Sequence, residues 1–146
     1  MARTRIYMTV KGVNGRMSAP GLGGPKPWMI PVTLLSFELP VPHAMGTGQS
    51  GRPARSMTIL KAVDAASPLL MKAVISSETL DSVVFEFLDA AHTDSTRVLG
   101  TITLTQAKIV QLRRMQPYSG SGSEPHEEIR LAFEVSTTKG SPWGHG

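Results

Sequence analysis

Apolar and polar side chains alternate with a period of two through most of this chain. In RIYMTV, residues 5–10, Ile6, Met8 and Val10 share one face while Arg5, Tyr7 and Thr9 share the other, as a half-buried strand requires. KGVNG, residues 11–15, then supplies a turn, because Asn and Gly tolerate left-handed dihedrals. Residues 17–27 are dense in Pro and Gly and read as loop. MIPVTLLSFEL, residues 29–39, is the next strand. Pro31 belongs at its start or on an edge, since proline donates no ladder hydrogen bond. ARSMTILK, residues 54–61, sets Met57 and Ile59 opposite Thr58 and Leu60. SVVFEFL, residues 82–88, is rich in β-branched and aromatic residues. VLGTITLT, residues 98–105, alternates cleanly, and residues 106–114 continue it with a slip around Lys108 that predicts a bend or bulge. In EEIRLAFEV, residues 127–135, the inward set is Ile129, Leu131, Phe133 and Val135. The pattern predicts six or seven strands at barrel-like spacing.

One segment breaks the alternation. Ser67 suits a helix N-cap and Pro68 the first helical position, where a missing N–H costs nothing. From residue 68 to 75 the only charged side chain is Lys72, among Leu69, Leu70, Met71, Ala73, Val74 and Ile75. The predicted helix, about 67–76, is too short to stand alone and too apolar to keep a wet face. It either plugs the end of a barrel, or covers the barrel on one side and meets another subunit on the other.

Loops add two features. Residues 40–53 are rich in Pro and Gly and reach the length of about 12–15 residues beyond which loops are uncommon, so they read as an interaction arm or a slack hairpin tip. Residues 118–125, YSGSGSEP, read as a hairpin loop. Residues 1–137 form the expected single domain, with 138–146 as a flexible tail.

Composition narrows the function. A chain of 146 residues and 15.7 kDa makes one domain that buries about 70% of its unfolded surface. Cysteine is absent, which excludes disulfides and thiolate metal sites. The net charge of +4 comes from scattered Lys and Arg, and with aromatics at 5% there are few platforms for stacking bases. A solvated basic surface is expected, not a nucleic-acid site. No run approaches the ~18 apolar residues of a membrane span. The opening MARTRIYMTV lacks the apolar stretch of a secretory signal, so if the protein leaves the cell it is expected to do so by a route that reads no cleavable signal.

Candidate chemistry is sparse. His43, His92, His126 and His145 show no metal-ligand spacing. Glu124, Glu127 and Glu128 read as a solvated rim. No nucleophile elbow, P-loop or dinucleotide fingerprint occurs, and no helix follows GLGG, residues 21–24, to aim amides at a phosphate. The chain is expected to be no enzyme and to carry no cofactor or metal.

SMTILKAVDAASPLLMKA, residues 56–73, resembles the central signature of the haemolysin-coregulated proteins, the Hcp tube subunits of bacterial type VI secretion systems: a strand ending in Lys, an Asp shortly after, and Ser-Pro opening an apolar helix. IYMTVKGVNG (6–15), VTLLSF (32–37), GTITLTQAKI (100–109) and EIRLAF (128–133) are similar to other strands of the family, in its order. The resemblance spans residues 5–136. It implies a compact β-barrel of two antiparallel sheets with one flanking helix. It further implies a homo-hexameric ring that stacks into a tube, with a contractile sheath, spike proteins and small effectors in the lumen as partners. Subunit contacts are then expected from His43, Met45, Gln49 and Arg52 in the arm, and from Leu69, Leu70 and Met71 in the helix. A phage-tail-like tube protein and a monomeric β-sandwich binding module are the rival expectations.

Overall fold

A computed structural model describes residues 4–38, 55–89 and 97–142. The described chain forms β1 (Thr4–Gly12), β2 (Gly15–Arg16), β3 (Ile30–Val32), β4 (Leu34–Glu38), β5 (Ser56–Ala62), α1 (Ser67–Ile75), β6 (Thr79–Asp89), β7 (Val98–Met115), β8 (His126–Ala132) and β9 (Val135–Gly140). The mainly β, one-helix architecture expected from the sequence is what the chain adopts. All nine strands join in one antiparallel sheet, in the order β2-β1-β6-β7-β8-β5-β4, with β3 on β1 and β9 on β7. β3 and β4 are one run of chain parted at Thr33: the first half pairs with β1 and the second with β5. The sheet therefore wraps until its two ends share a segment, without closing its ladder. Thr33 donates its amide to the Leu60 carbonyl at 2.8 Å where the switch occurs. Pro31 lies in three-residue β3, beside that change of partner, where a missing donor disturbs little.

Alternation built the core as the sequence predicts. Met8 and Val10, Met57 and Ile59, Val83, Phe85 and Phe87, Ile102 and Leu104, and Ile129 and Leu131 all point inward. The slip expected near Lys108 is real and double. Gln106 adopts a positive φ of 51°, and Val110 bulges out where Ile109 pairs with Leu131 but Gln111 with Arg130. β6 changes phase opposite the first irregularity, its buried residues stepping from Leu80 to Val83. The two strands bend together, so β7 pairs first with β9 and then with β8.

Val135 departs from expectation. The last strand ends at Ala132 and restarts as β9 beyond Phe133 and Glu134, which leaves Val135 outward and 51% exposed. β9 also continues to Gly140, three residues into the segment expected as a tail. The Pro- and Gly-rich loop of residues 17–27 is well packed: Ala19 and Leu22 enter the main core, and just beyond it Met29 joins Tyr7 and Leu88 on the opposite face of the sheet. At Gly24 any side chain would strike the Met29 carbonyl and the Tyr7 ring.

The helix begins differently from its sequence signature. Ala66, not Ser67, occupies the N-cap position, and no side chain caps it. The C-terminus is closed mainly by backbone, with the Ser76 hydroxyl also donating to the Ala73 carbonyl at 3.4 Å. Ser77 donates to the Val74 carbonyl and Glu78 to the Ala73 carbonyl at 3.1 and 3.0 Å, the paired bonds of a Schellman motif. That motif holds Ser77 at φ 53°, a region a serine occupies at a cost. Ser77→Gly is expected to raise stability by about 0.5–1 kcal/mol. The check is a higher urea midpoint at unchanged slope; a lower midpoint would contradict the motif.

Candidate functional site

The inward row of β5 runs Met57, Ile59, Lys61, and that of β8 runs Glu127, Ile129, Leu131. Alternation thus carries a lysine and a glutamate into the core, where both are 0% exposed. The two residues are direct partners across the β5–β8 ladder. Lys61 Nζ donates to Glu127 Oε2 at 2.8 Å, to Asp64 Oδ1 at 2.9 Å and to the Ala62 carbonyl at 2.9 Å, which uses all three ammonium protons. The Ser67 hydroxyl donates to Glu127 Oε2 and accepts the Asp64 amide at 3.0 Å. Asp64 in turn accepts the Ala66 amide at 2.9 Å. Arg114, opposite Glu127 on β7, approaches Oε1 at 3.5 Å. Two cations and two carboxylates meet at the root of α1, on side chains from three strands and the preceding turn. Among the described residues no buried polar side-chain atom is left without a partner.

This corrects two sequence expectations. Glu127 is a core residue rather than part of a wet rim with Glu124 and Glu128, because strand alternation turns it inward. Ser67 is drawn from helix capping because a buried carboxylate makes a stronger, charge-assisted bond than a backbone amide.

Burial, the largest influence on Glu127, pushes its carboxyl up. Hydrogen bonds from Lys61 and Ser67 and the charges of Lys61 and Arg114 together overcome this and hold it below its ordinary value of 4.5. The folded state then binds fewer protons than the unfolded state, so this contribution is full above about pH 4.5 and is lost as pH falls through the folded-state value. Wild-type stability is expected to decline below that pH more steeply than that of Glu127→Gln, as read by urea unfolding across pH. Equal slopes would refute the ionised, bonded carboxylate.

The cluster is no nucleophile. Lys61 Nζ lies 3.5 Å from Ser67 Oγ, a pairing some hydrolases use. Here Lys61 is an ammonium between carboxylates, the serine proton points at Glu127, and Ser67 is buried. No substrate reaches these atoms. Among the described residues no three His, Asp or Glu are grouped as a metal would need, and no helix is long and apolar enough to cross a membrane.

Above the cluster, α1 packs on the sheet by one side. Leu70, 1% exposed, and Ala73 enter the core, with Val74 partly buried beside them. Met71, 37% exposed, and Ile75, 78% exposed, face out, and Leu69 is half-buried. Leu69 also lines an open cleft of about 230 Å³, with Lys72 and Glu78 on one side and Gly12, Asn14 and Arg16 on the other. Glu78 ties that cleft together by accepting the Val13 amide at 2.8 Å, directly over Gly12, where a Cβ would collide with its carboxylate. Of the residues expected to contact other subunits, Met71 and partly Leu69 are available on the surface. Leu70 is committed to its own core, and His43, Met45, Gln49 and Arg52 lie outside the described residues. The helix therefore covers the sheet on one side and leaves an apolar strip on the other.

No curated protein matches by sequence. The family described as "Type VI secretion system effector, Hcp" matches residues 7–139. Among solved structures, the secreted protein Hcp3 from Pseudomonas aeruginosa aligns at a TM-score of 0.69 and 20% identity, covering 93% of this chain and 97% of that one. A variant of Hcp1 from E. coli EAEC 042 aligns at 0.69 and 18% identity, covering 92% and 96%. A chain of the sheath–tube complex of an extracellular contractile injection system, PVC, aligns at 0.61 and 16% identity, covering 93% and 88%. These likenesses establish the shared fold, and the family match spans almost the whole sheet, the buried cluster and the helix. The chain belongs to the Hcp family of type VI secretion system proteins.

Proposed function

We propose that this chain builds the tube of a type VI secretion system. Copies associate side by side into a hexameric ring, and rings stack inside a contractile sheath beneath a spike. Small effectors occupy the lumen, and the subunits leave the cytoplasm on firing without a cleaved signal. The family match over residues 7–139 carries this reading. The exposed pair Met71 and Ile75, one turn apart on the outer side of α1, supports it, because such an apolar pair on a one-sided helix is what a contact between copies would cover. Met71, Leu69 and the arm residues His43, Met45, Gln49 and Arg52 are the proposed contact residues, with Leu70 supporting them from beneath.

Light scattering at micromolar concentration tests the reading. A six-fold multiple of the 15.7 kDa chain is expected, and a monomer at every concentration and salt tested would overturn it. Ile75→Lys, at a site 78% exposed, should keep the fold and weaken association. Deleting residues 43–50 should do the same. A second reading, a subunit that stays within an injection particle, is favoured by the likeness to the PVC sheath–tube chain. Free protein in the culture medium supports secretion, whereas recovery only in sedimenting particles supports the second reading.

A further inference from the structure

Helix α1 has nine residues, and of its apolar side chains only Leu70 and Ala73 are fully buried. Apolar contact is non-directional, so these side chains and the partly buried Val74 define the position of the helix less sharply than directional bonds do. The polar contacts at its root are directional. Ser67, the first helical residue, is bonded to Glu127 on β8 and meets Lys61 on β5 at 3.5 Å. Asp64, in the turn before it, is bonded to Lys61 and to the amide of Ala66. Lys61 and Glu127 are partners in the ladder, so the anchor is tied to one register of the β5–β8 pair.

We propose that the buried Lys61–Glu127–Ser67 cluster is a placement device for the assembly surface: it fixes where α1 sits and therefore where Met71 and Ile75 are presented to a second copy of this chain. This rests on the assembly reading above. A buried ion pair adds little net stability over apolar residues of similar volume, because desolvation offsets the Coulombic gain. What such a pair supplies instead is direction, and setting register is its best-attested use. The cluster meets the conditions for that role. It is fully buried, its donors and acceptors are satisfied, and it joins the helix root to strands far apart in sequence.

The test compares wild type with the apolar double variant K61M/E127L and with Ser67→Ala. Each is followed by urea unfolding, by hydrogen exchange of α1 and β7 amides, and by light scattering. The double variant is expected to unfold near the wild-type midpoint and to keep β7 protection, while α1 amides exchange at least roughly tenfold faster through local opening. Its assembly should require at least roughly tenfold more protein, since a displaced contact row binds less well. Ser67→Ala should shift both readouts in the same direction by less. A folded double variant with wild-type α1 exchange and wild-type assembly overturns the proposal. Should the double variant not fold, Ser67→Ala decides, and unchanged exchange and assembly there overturn it equally. If wild type itself never assembles, the assembly reading fails, and the exchange comparison alone decides whether the cluster places the helix.

Discussion

Lys61→Met is expected to cost about 3–5 kcal/mol at neutral pH, the usual penalty for removing one partner of a buried ion pair. Methionine fills much of the lysine volume, so the loss is electrostatic. Glu127, 0% exposed, would keep the Ser67 hydroxyl and a distant Arg114, with no cation against its Oε2. Its burial would then prevail and push its carboxyl above the ordinary value. That reverses the sign of the linkage. A group with a raised folded-state value contributes stability at low pH and loses it as pH rises. Wild type should weaken on acidification below about pH 4.5, while the deficit of Lys61→Met already shrinks as pH falls toward that value and goes on shrinking below it. Urea unfolding at neutral and acidic pH measures both. A deficit under about 1 kcal/mol, the scale of an exposed pair, would show that the cluster is wet in solution.

Leu70→Asp is the second large effect. Leu70 is 1% exposed beneath α1 in the apolar core, where a carboxylate would be desolvated, so a loss above about 4 kcal/mol or no cooperative fold at all is expected. Leu69→Asp, one residue earlier, should behave otherwise. Leu69 is half-buried on the cleft shared with Lys72 and Arg16, and its replacement should keep the fold within about 1 kcal/mol. From sequence the two leucines are equivalent, both inside a helix with one charge. Circular dichroism and urea midpoints separate them. A normally folded Leu70→Asp chain would mean that α1 does not pack as described.

The strands and the helix were legible because each is written in a local period. Ile102 and Leu104 opposite Thr101 and Thr103 needed no knowledge of what lay across them. The slip near Lys108 was visible as broken alternation. Its resolution into a positive φ at Gln106 and a bulge at Val110 depended on β6, β8 and β9 pairing with successive parts of one strand. Val135 was misplaced because alternation was carried through Phe133 and Glu134, where the ladder breaks. The signature of residues 56–73 marked the family, and the structure gives its polar residues a physical meaning: Lys61, Asp64 and Ser67 converge on one point. Their fourth member, Glu127, lies 66 residues from Lys61. A signal was present, since residues 57, 59 and 61 and residues 127, 129 and 131 continue two inward rows. It was overridden by the general rule that charges at strand ends reach water.

By itself, the sequence determined a mainly β chain, one short apolar helix at about residues 67–76, and membership of the Hcp family. These follow from periodicity and from a contiguous motif. Only the tertiary structure decided that a lysine and a glutamate are core residues, that the Ser67 hydroxyl serves Glu127 instead of the helix end, and that α1 is covered on one side alone. Burial is a property of what another segment places opposite a residue, and that partner stands on a distant strand, beyond the reach of any local pattern.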